Sequence, residues 1–287
     1  MRFAGLLALC ALGCGRDVVT ASTAATIETA PAVAAPASPC ATEVVTLGPG
    51  LTAEQAVLAG TPAAGRAPCV DLVRADIATH RLRVLTSHDG RSAPAPTWRE
   101  TFNLVAVTNA GMFHTGGAPV ALIVQDGVDV GRDNKKYLGY LAFDPRSDAD
   151  PAIAVAGRDC EGFDLAALCK RYRSIVQSPR LLGCDGEALP WQDKKQYSAA
   201  AIGIDRAGRA VFIHARAAVT MTELSQSLAA LDLTAALFLE GGPEASLVVR
   251  GPAGELARVG SYETFFVEND ANQAFWWLPN VIGLEAR

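Results

Sequence analysis

An α+β fold with a mixed or antiparallel β-sheet core, in a single domain, is predicted by three features of this sequence. Apolar runs of strand length outnumber helical patterns, they come in pairs joined by tight-turn residues, and two stretches carry a clear helical period. With 287 residues, 50% hydrophobic and 19% charged, the chain can bury one large core or two modest ones. A formal net charge of -5 argues against a broad nucleic-acid footprint, so no nucleic-acid partner is expected.

The chain opens with Arg2 and a short apolar run, Phe3 to Leu12, too brief to span a bilayer as a mature helix. It reads as a secretion signal over residues 1–14. Ala11-Leu12-Gly13-Cys14 is similar to a bacterial lipobox, which implies lipidation of Cys14, with an ordinary signal peptide as the alternative. Gly15 after that cysteine points to the outer membrane, facing the periplasm or the cell surface. Residues 15–39 are mostly Ala, Thr, Pro, Ser and Val without an apolar period, the composition of a tether that cannot offset its ordering entropy. The folded domain is expected over residues 40–287.

Of seven cysteines, five fall in that domain. In an oxidising compartment, pairs such as Cys40 with Cys69 and Cys160 with Cys169 would staple loops and leave Cys184 free. No C-x-x-C or H-x-x-x-H spacing occurs and His80, His88, His114 and His214 are scattered, so no transition-metal site is expected.

The elements follow in order. Val70 to Ile77 and Arg81 to Thr86 alternate apolar and polar residues around Ala78-Thr79-His80, the pattern of a hairpin. A short helical turn is expected around Trp98 to Phe102. Leu104 to Thr108 is a buried-strand run ending in Asn109-Ala110-Gly111, and Pro119 to Val124 is a second strand that turns at Gln125-Asp126-Gly127. The glycine-rich loop between them leads to a strand rather than a helix, which excludes the dinucleotide and P-loop fingerprints. Leu138 to Phe143 and Ala152 to Ala156 are further strands. Phe163 to Tyr172 is helical, with Leu165, Leu168, Cys169 and Tyr172 on one face and Lys170 and Arg171 at its C-terminus. Ser174 to Leu182 alternates until Pro179 interrupts it.

Ala199 to Ile204 and Arg209 to Ala215 form a hairpin across Asp205-Arg206-Ala207-Gly208. Thr220-Met221-Thr222-Glu223 matches a capping box, and Met221, Leu224, Leu228 and Leu231 continue it as an amphipathic helix. That helix delivers the chain to Ala235-Ala236-Leu237-Phe238-Leu239-Glu240-Gly241-Gly242, an apolar strand meeting a turn that glycines favour, with a carboxylate at the junction. Leu247 to Arg250, Glu255 to Val259 and Glu263 to Val267 are strands. The tail from Phe275 to Gly283 reads as a closing strand that packs Trp276 and Trp277 on the core, with stacking on a sugar ring as the alternative for both.

Three segments taken together resemble the bacterial phosphodiester glycosidase family. They are Asn109-Ala110-Gly111-Met112-Phe113 with Pro119 to Ile123, Val176-Gln177-Ser178-Pro179-Arg180-Leu181-Leu182 with Asp185-Gly186, and Ala201 to Asp205 leading to Leu239-Glu240-Gly241-Gly242-Pro243-Glu244-Ala245-Ser246. The likeness covers residues 70 to 284 and includes the closing Leu278-Pro279-Asn280-Val281-Ile282. The chain departs from the family pattern at Glu240, where Asp is usual, at Ser178 or Ala121, where Gly is usual, and at Tyr197 and Ser198, where an Arg is usual.

The resemblance implies an exported hydrolase acting on a glycosyl phosphodiester or a related envelope glycan. The leaving group would be a phosphate monoester, which needs little protonation, so one carboxylate acting as general base or nucleophile, with donors for the phosphate, can suffice. Glu240 is the candidate carboxylate, with Asn109 and His114 as further catalytic candidates. Asn109 and Gln177 offer a donor and an acceptor for sugar hydroxyls, Ser178 is a further substrate-binding candidate, Arg180 or Arg216 suits the phosphate, and Gly241, Gly242 and Ser246 are candidates for close backbone and hydroxyl donors. No cofactor is expected, and a divalent cation at the phosphate is left open. The expected partners are a glycan or sugar phosphate and, through the lipid, a membrane. The alternative is a surface-tethered glycan-binding or structural lipoprotein of the same fold without catalysis.

Overall fold

The computed structural model of the protein describes residues 40–60, 67–87, 92–261 and 270–287. The lipobox at Cys14, the tether, His88 and the expected strand Glu263 to Val267 lie outside the described residues. In chain order the strands are β1 (Val45–Gly48), β2 (Leu51–Val57), β3 (Cys69–Ala75), β4 (His80–Thr86), β5 (Ala93–Pro94), β6 (Ala106–Asn109), β7 (Ile123–Gln125), β8 (Val128–Asp129) and β9 (Gly139–Pro145). They continue as β10 (Ile153–Gly157), β11 (Tyr172–Ser178), β12 (Tyr197–Asp205), β13 (Ala210–Val219), β14 (Leu233–Gly241), β15 (Ser246–Gly251), β16 (Gly254–Val259), β17 (Trp277–Leu278) and β18 (Asn280–Ala286). Among the described residues three α-helices accompany them: α1 (Ala95–Thr101), α2 (Leu165–Arg171) and α3 (Met221–Ala229).

The strands assemble into a six-stranded sheet, β1-β2-β3-β13-β12-β14, and two five-stranded sheets, β10-β9-β11-β7-β8 and β16-β15-β6-β18-β4, with β17-β5 as a small ribbon. The pairings among described residues are antiparallel. The α+β expectation holds, with antiparallel rather than mixed pairing.

One core is shared by all three large sheets. Val73, Ile202, Phe212, Leu237 and Leu239 come from the first, Leu141, Phe143 and Val176 from the second, and Val84, Leu247 and Ile282 from the third. Alternation along each strand sends the other side chains to the opposite face, and there each large sheet is covered by one helix. Met221, Leu224 and Leu228 of α3 pack on Leu72, Ile213, Ala236 and Phe238. Trp98 of α1 packs on Val107, Val248 and Val281, and Leu168 of α2 on Tyr140, Ala142 and Ile175. The capping box of α3 is present in both directions, since Thr220 Oγ1 accepts from Glu223 N and Glu223 accepts from Thr220 N.

Several local expectations are corrected by these pairings. The stretches around Ala78-Thr79-His80 are strands but not a hairpin, because β3 pairs with β2 and β13 while β4 pairs with β18 in another sheet. Strand Pro119 to Val124 contracts to β7, and Pro119 makes only an isolated bridge to Phe113. Its turn is as read, with Asp126 and Gly127 both at positive φ. Helix Phe163 to Tyr172 begins later, at an N-cap Asp164 that accepts from Ala166 N and Ala167 N, and gives up Tyr172 to β11. Cys40 bonds Cys69, but Cys160 bonds Cys184, not Cys169, which stays free. Cys169 sits on α2 facing the sheet, whereas Cys160 and Cys184 lie on loops that meet at Arg180. Trp276 and Trp277 are 41% and 65% exposed, so the core-packing expectation fails for both; Leu278 takes the buried position instead.

Candidate functional site

Glu240 sits near the end of β14, and its placement begins with a register slip. Ala201 pairs with Phe238 but Ala200 pairs with Glu240, leaving Leu239 as the extra residue of a β-bulge. Bulges re-aim a side chain at a strand end, and here one puts the carboxylate in register with Ala200 just before the chain turns. Gly242, at φ +68, opens the short 3-10 turn Gly242–Glu244 that carries the chain into β15. Gly241 is required for a different reason. A Cβ there would stand 2.6 Å from the Tyr197 ring and 3.3 Å from Phe238.

Glu240 is half-buried and its Oε1 accepts from Gly241 N at 3.1 Å. Burial pushes its pKa up to about 8, the Gly241 hydrogen bond opposes that, and the nearby Glu244 adds to it. Two tyrosines are close enough to feel its charge. Burial and Glu240 raise the pKa of Tyr137, and burial, Asp193 and Glu240 raise that of Tyr197.

The sequence candidates around Glu240 are brought to one end of the sheets, but most of their side chains are committed to the protein itself. Buried Asn109 donates from Nδ2 to Glu244 O at 3.0 Å and accepts at Oδ1 from Ser246 N at 2.9 Å, clasping both ends of the turn after Glu240. Ser246 Oγ donates to Glu244 O at 2.9 Å. Ser178 Oγ donates to Phe238 O beside the bulge. Gly241 N–H is turned to Glu240 rather than outward, and Gly242 is buried.

Gln177, a candidate for sugar hydroxyls, clamps a loop. It is buried, and its Oε1 accepts from Leu122 N and Asn134 N at 3.1 and 2.9 Å. Its Nε2 lies 2.7 Å from both Asn134 O and Tyr137 O. The loop is braced further by Asp133, which joins Tyr140, Arg158 and Lys135; although burial raises its pKa, these partners hold it down at about 2.

Both arginine candidates for the phosphate are likewise taken. Arg180 donates to Asp159 at 2.6 Å and lies 3.1 and 3.4 Å from the sulfurs of Cys160 and Cys184. Arg216 binds Asp270 at 2.7 Å and the carbonyls of Val259 and Asn272. His114 is exposed in a turn closed by its backbone bonds to Ala118 and Gly117. Asp159, Cys160 and Cys184 come together, but the two sulfurs are joined in a disulfide and offer no thiolate to a metal.

Residues that the sequence did not single out complete the neighbourhood. His214 is fully buried, two strands from Glu240, since Ala200 pairs with both of them. Its Nε2 lies 3.2 Å from Ala245 O, at the end of the same turn, and its Nδ1 has no hydrogen-bond partner among the described residues. Burial lowers its pKa to about 4, so the ring is neutral and Nε2 is the nitrogen that donates. Tyr137 and Trp191 flank the approach to β14, and no periodic or spacing signal marks either of them in the sequence.

Comparison with known proteins adds the family. A model of the phosphodiester glycosidase family matches residues 102–285. Among solved structures, the chain is similar to the zebrafish N-acetylglucosamine-1-phosphodiester alpha-N-acetylglucosaminidase catalytic domain, auto-inhibited by its pro-peptide. The identity is 15%, 85% of this chain and 88% of that one are covered, and the TM-score is 0.62. A hypothetical protein from Synechocystis is similar at 14% identity over 83% of this chain and 62% of that one, with a TM-score of 0.51. No curated protein matches the chain by sequence.

Proposed function

Because the chain belongs to the phosphodiester glycosidase family, a family of glycosidase-type hydrolases, we propose that it cleaves the bond between a sugar's anomeric carbon and a phosphodiester, with Glu240 as the reacting carboxylate. The observation that carries this reading is the carboxylate itself. The bulge at Leu239 sets Glu240 opposite Ala200 at the strand end, where it is half-buried and accepts a hydrogen bond from Gly241 N. A pKa pushed up to about 8 makes it a stronger base than a solvated glutamate once it is ionised.

In the proposed step a water oxygen forms a bond to the anomeric carbon while the carbon–oxygen bond to phosphate breaks. The electron pair leaves on the phosphate oxygen, and Glu240 takes the water proton. Asn109, Ser246 and Ser178 act as positioning residues in this scheme, fixing the turn and the strand on either side of Glu240 rather than meeting the sugar. Gly241 serves by letting Tyr197 and Phe238 close on the strand end, and Gly242 by taking the positive φ of the turn.

Turnover of a panel of glycosyl phosphodiesters by wild type and Glu240→Gln tests the reading. We expect a loss of at least roughly a hundredfold in kcat for the variant, the usual scale for removing a positioned acid–base group, with folding retained. A wild type inert on the whole panel would sink the hydrolase and leave the non-catalytic alternative.

Export and lipidation at Cys14 belong to the same proposal. The Cys40–Cys69 and Cys160–Cys184 disulfides support an oxidising compartment. Incorporation of radiolabelled palmitate into wild type, and its absence in Cys14→Ala, is the expected result.

A further inference from the structure

Two cavities border Arg180, and they differ in what they reach. One, about 490 Å³, runs past the Cys160–Cys184 disulfide to Thr234 and Ala235. Those residues precede Glu240 on β14 by five or six positions, roughly 16 Å or more of strand. The other, about 560 Å³, opens between Lys136, Tyr137, Pro179, Trp191 and Gln192. This second cleft adjoins the Glu240 end of the strand through Phe238 and Tyr137. Tyr137 feels the charge of Glu240, Pro179 O accepts from Phe238 N at 3.0 Å, and Trp191 stands edge-on to Phe238 with centroids 5.6 Å apart.

The walls are of two kinds. Trp191 and Tyr137 are half-buried aromatics with fixed orientations. The indole Nε1 donates to Arg180 O at 3.2 Å and the Trp191 backbone N to Thr222 Oγ1 at 3.0 Å, while the Tyr137 hydroxyl donates to Met112 Sδ at 3.6 Å and its carbonyl accepts from Gln177. Rigid aromatic faces of this kind suit the C–H-bearing face of a pyranose, with a few polar groups to fix its orientation. Gln192 is exposed and offers an amide to hydroxyls, and Lys136 is exposed without an ion pair among the described residues. Asp159 also borders the cleft, but its charge is met by Arg180 at 2.6 Å.

We propose that this cleft is the glycosyl phosphate subsite, with the sugar ring on Trp191 and Tyr137 and the phosphate on the Lys136 ammonium. The proposal rests on the hydrolase reading above and gives that site its binding wall. It also assigns a task to Gln177, whose clamp on Asn134 and Tyr137 positions the Lys136–Tyr137 side of the cleft. Because Arg180 and Arg216 are held in internal pairs, Lys136 replaces them as the cation for the anion, a compact charge in place of a guanidinium fork.

The test uses binding separately from turnover. N-acetylglucosamine 1-phosphate and methyl N-acetylglucosaminide are titrated calorimetrically into the Glu240→Gln chain, alone and combined with Lys136→Ala, Trp191→Ala or Trp191→Phe. Lys136→Ala is expected to weaken the phosphate-bearing probe by roughly tenfold, equivalent to about 1.4 kcal/mol, and to leave the methyl glycoside unchanged. Trp191→Ala is expected to weaken both probes, and Trp191→Phe to restore most of that loss, which separates stacking from damage to the fold. Binding of both probes unaltered by Lys136→Ala and Trp191→Ala would overturn the subsite even if wild type hydrolyses its substrate. So would failure of the parent chain to bind either probe. Lys136- and Trp191-dependent binding in a chain whose wild type turns over nothing upholds the subsite and removes the hydrolase instead.

Discussion

Oδ1 of Asn109, at the end of β6, accepts the backbone N–H of Ser246 at 2.9 Å, across a separation of 137 residues. Its Nδ2 donates at the same time to Glu244 O. One buried amide therefore ties the strand before the glycine-rich loop to the turn that follows Glu240. Asn109→Ala leaves a buried N–H and a weakened carbonyl behind, at a cost of about 1–3 kcal/mol. A lower urea midpoint with an unchanged slope is the expected result. Asn109→Asp keeps the acceptor for Ser246 but loses the donor to Glu244 O, and is expected to be destabilised as well.

His214 is held neutral by burial, with its pKa lowered to about 4 from an ordinary 6.5. A depressed folded-state pKa means that its stability contribution is complete above 6.5 and is lost as pH falls towards 4. Unfolding followed between pH 7 and pH 4.5 should show this loss, on the order of 2 kcal/mol. In His214→Gln, which can still donate to Ala245 O, that pH-dependent loss should be smaller.

Glu240 has the opposite sign. Its folded-state pKa is raised from 4.5 to about 8, so its contribution is complete below 4.5 and is lost as pH rises through 8. Glu240→Gln should therefore gain in melting temperature relative to wild type at pH 8, by about 3 °C or more, and gain little at pH 4. The same group gives activity its own pH limb. A base or nucleophile must be ionised, so kcat/KM should climb up to pH 8 and level off above it; a profile that falls over this range assigns Glu240 the role of acid.

The disulfides make a chemical prediction. Among the described cysteines only Cys169 is free, and burial, with Asp129 and Asp133 nearby, raises its pKa. Maleimide labelling of the folded chain should be slow at pH 7 and faster at pH 9, with Cys169 as the labelled peptide. Replacing Cys160 and Cys184 together by Ser opens a link across a sequence separation of 24 and should cost roughly 3 kcal/mol. Thermal unfolding of this double variant beside wild type measures it, whereas a reductant would open Cys40–Cys69 as well.

The strand pattern, the capping box at Thr220, the hairpin turn at Asp126-Gly127 and the Glu240-Gly241-Gly242 corner were all legible in the sequence. Each is a local matter: alternation, a side chain three residues from its backbone partner, a φ that glycine tolerates. The partners of the polar candidates were not legible. Gln177, Arg180 and Arg216 advertise donors that suit a sugar or a phosphate, yet Gln177 grips a loop 40 residues away, Arg180 an aspartate 21 away and Arg216 one 54 away. Cys160 likewise passed over Cys169 for Cys184, because α2 turns Cys169 onto a sheet while two loops bring the other pair together.

The sequence by itself determined the family, most of the strands from Val70 onward and the carboxylate at a glycine corner, because those depend on neighbours along the chain. Only the tertiary structure decided which polar groups are left for a ligand. It joined Lys136 and Tyr137 to Trp191 beside the bulge at Leu239, and committed the arginines elsewhere. The reason is that hydrogen-bonding capacity belongs to a residue type, whereas its satisfaction depends on what the fold packs against it.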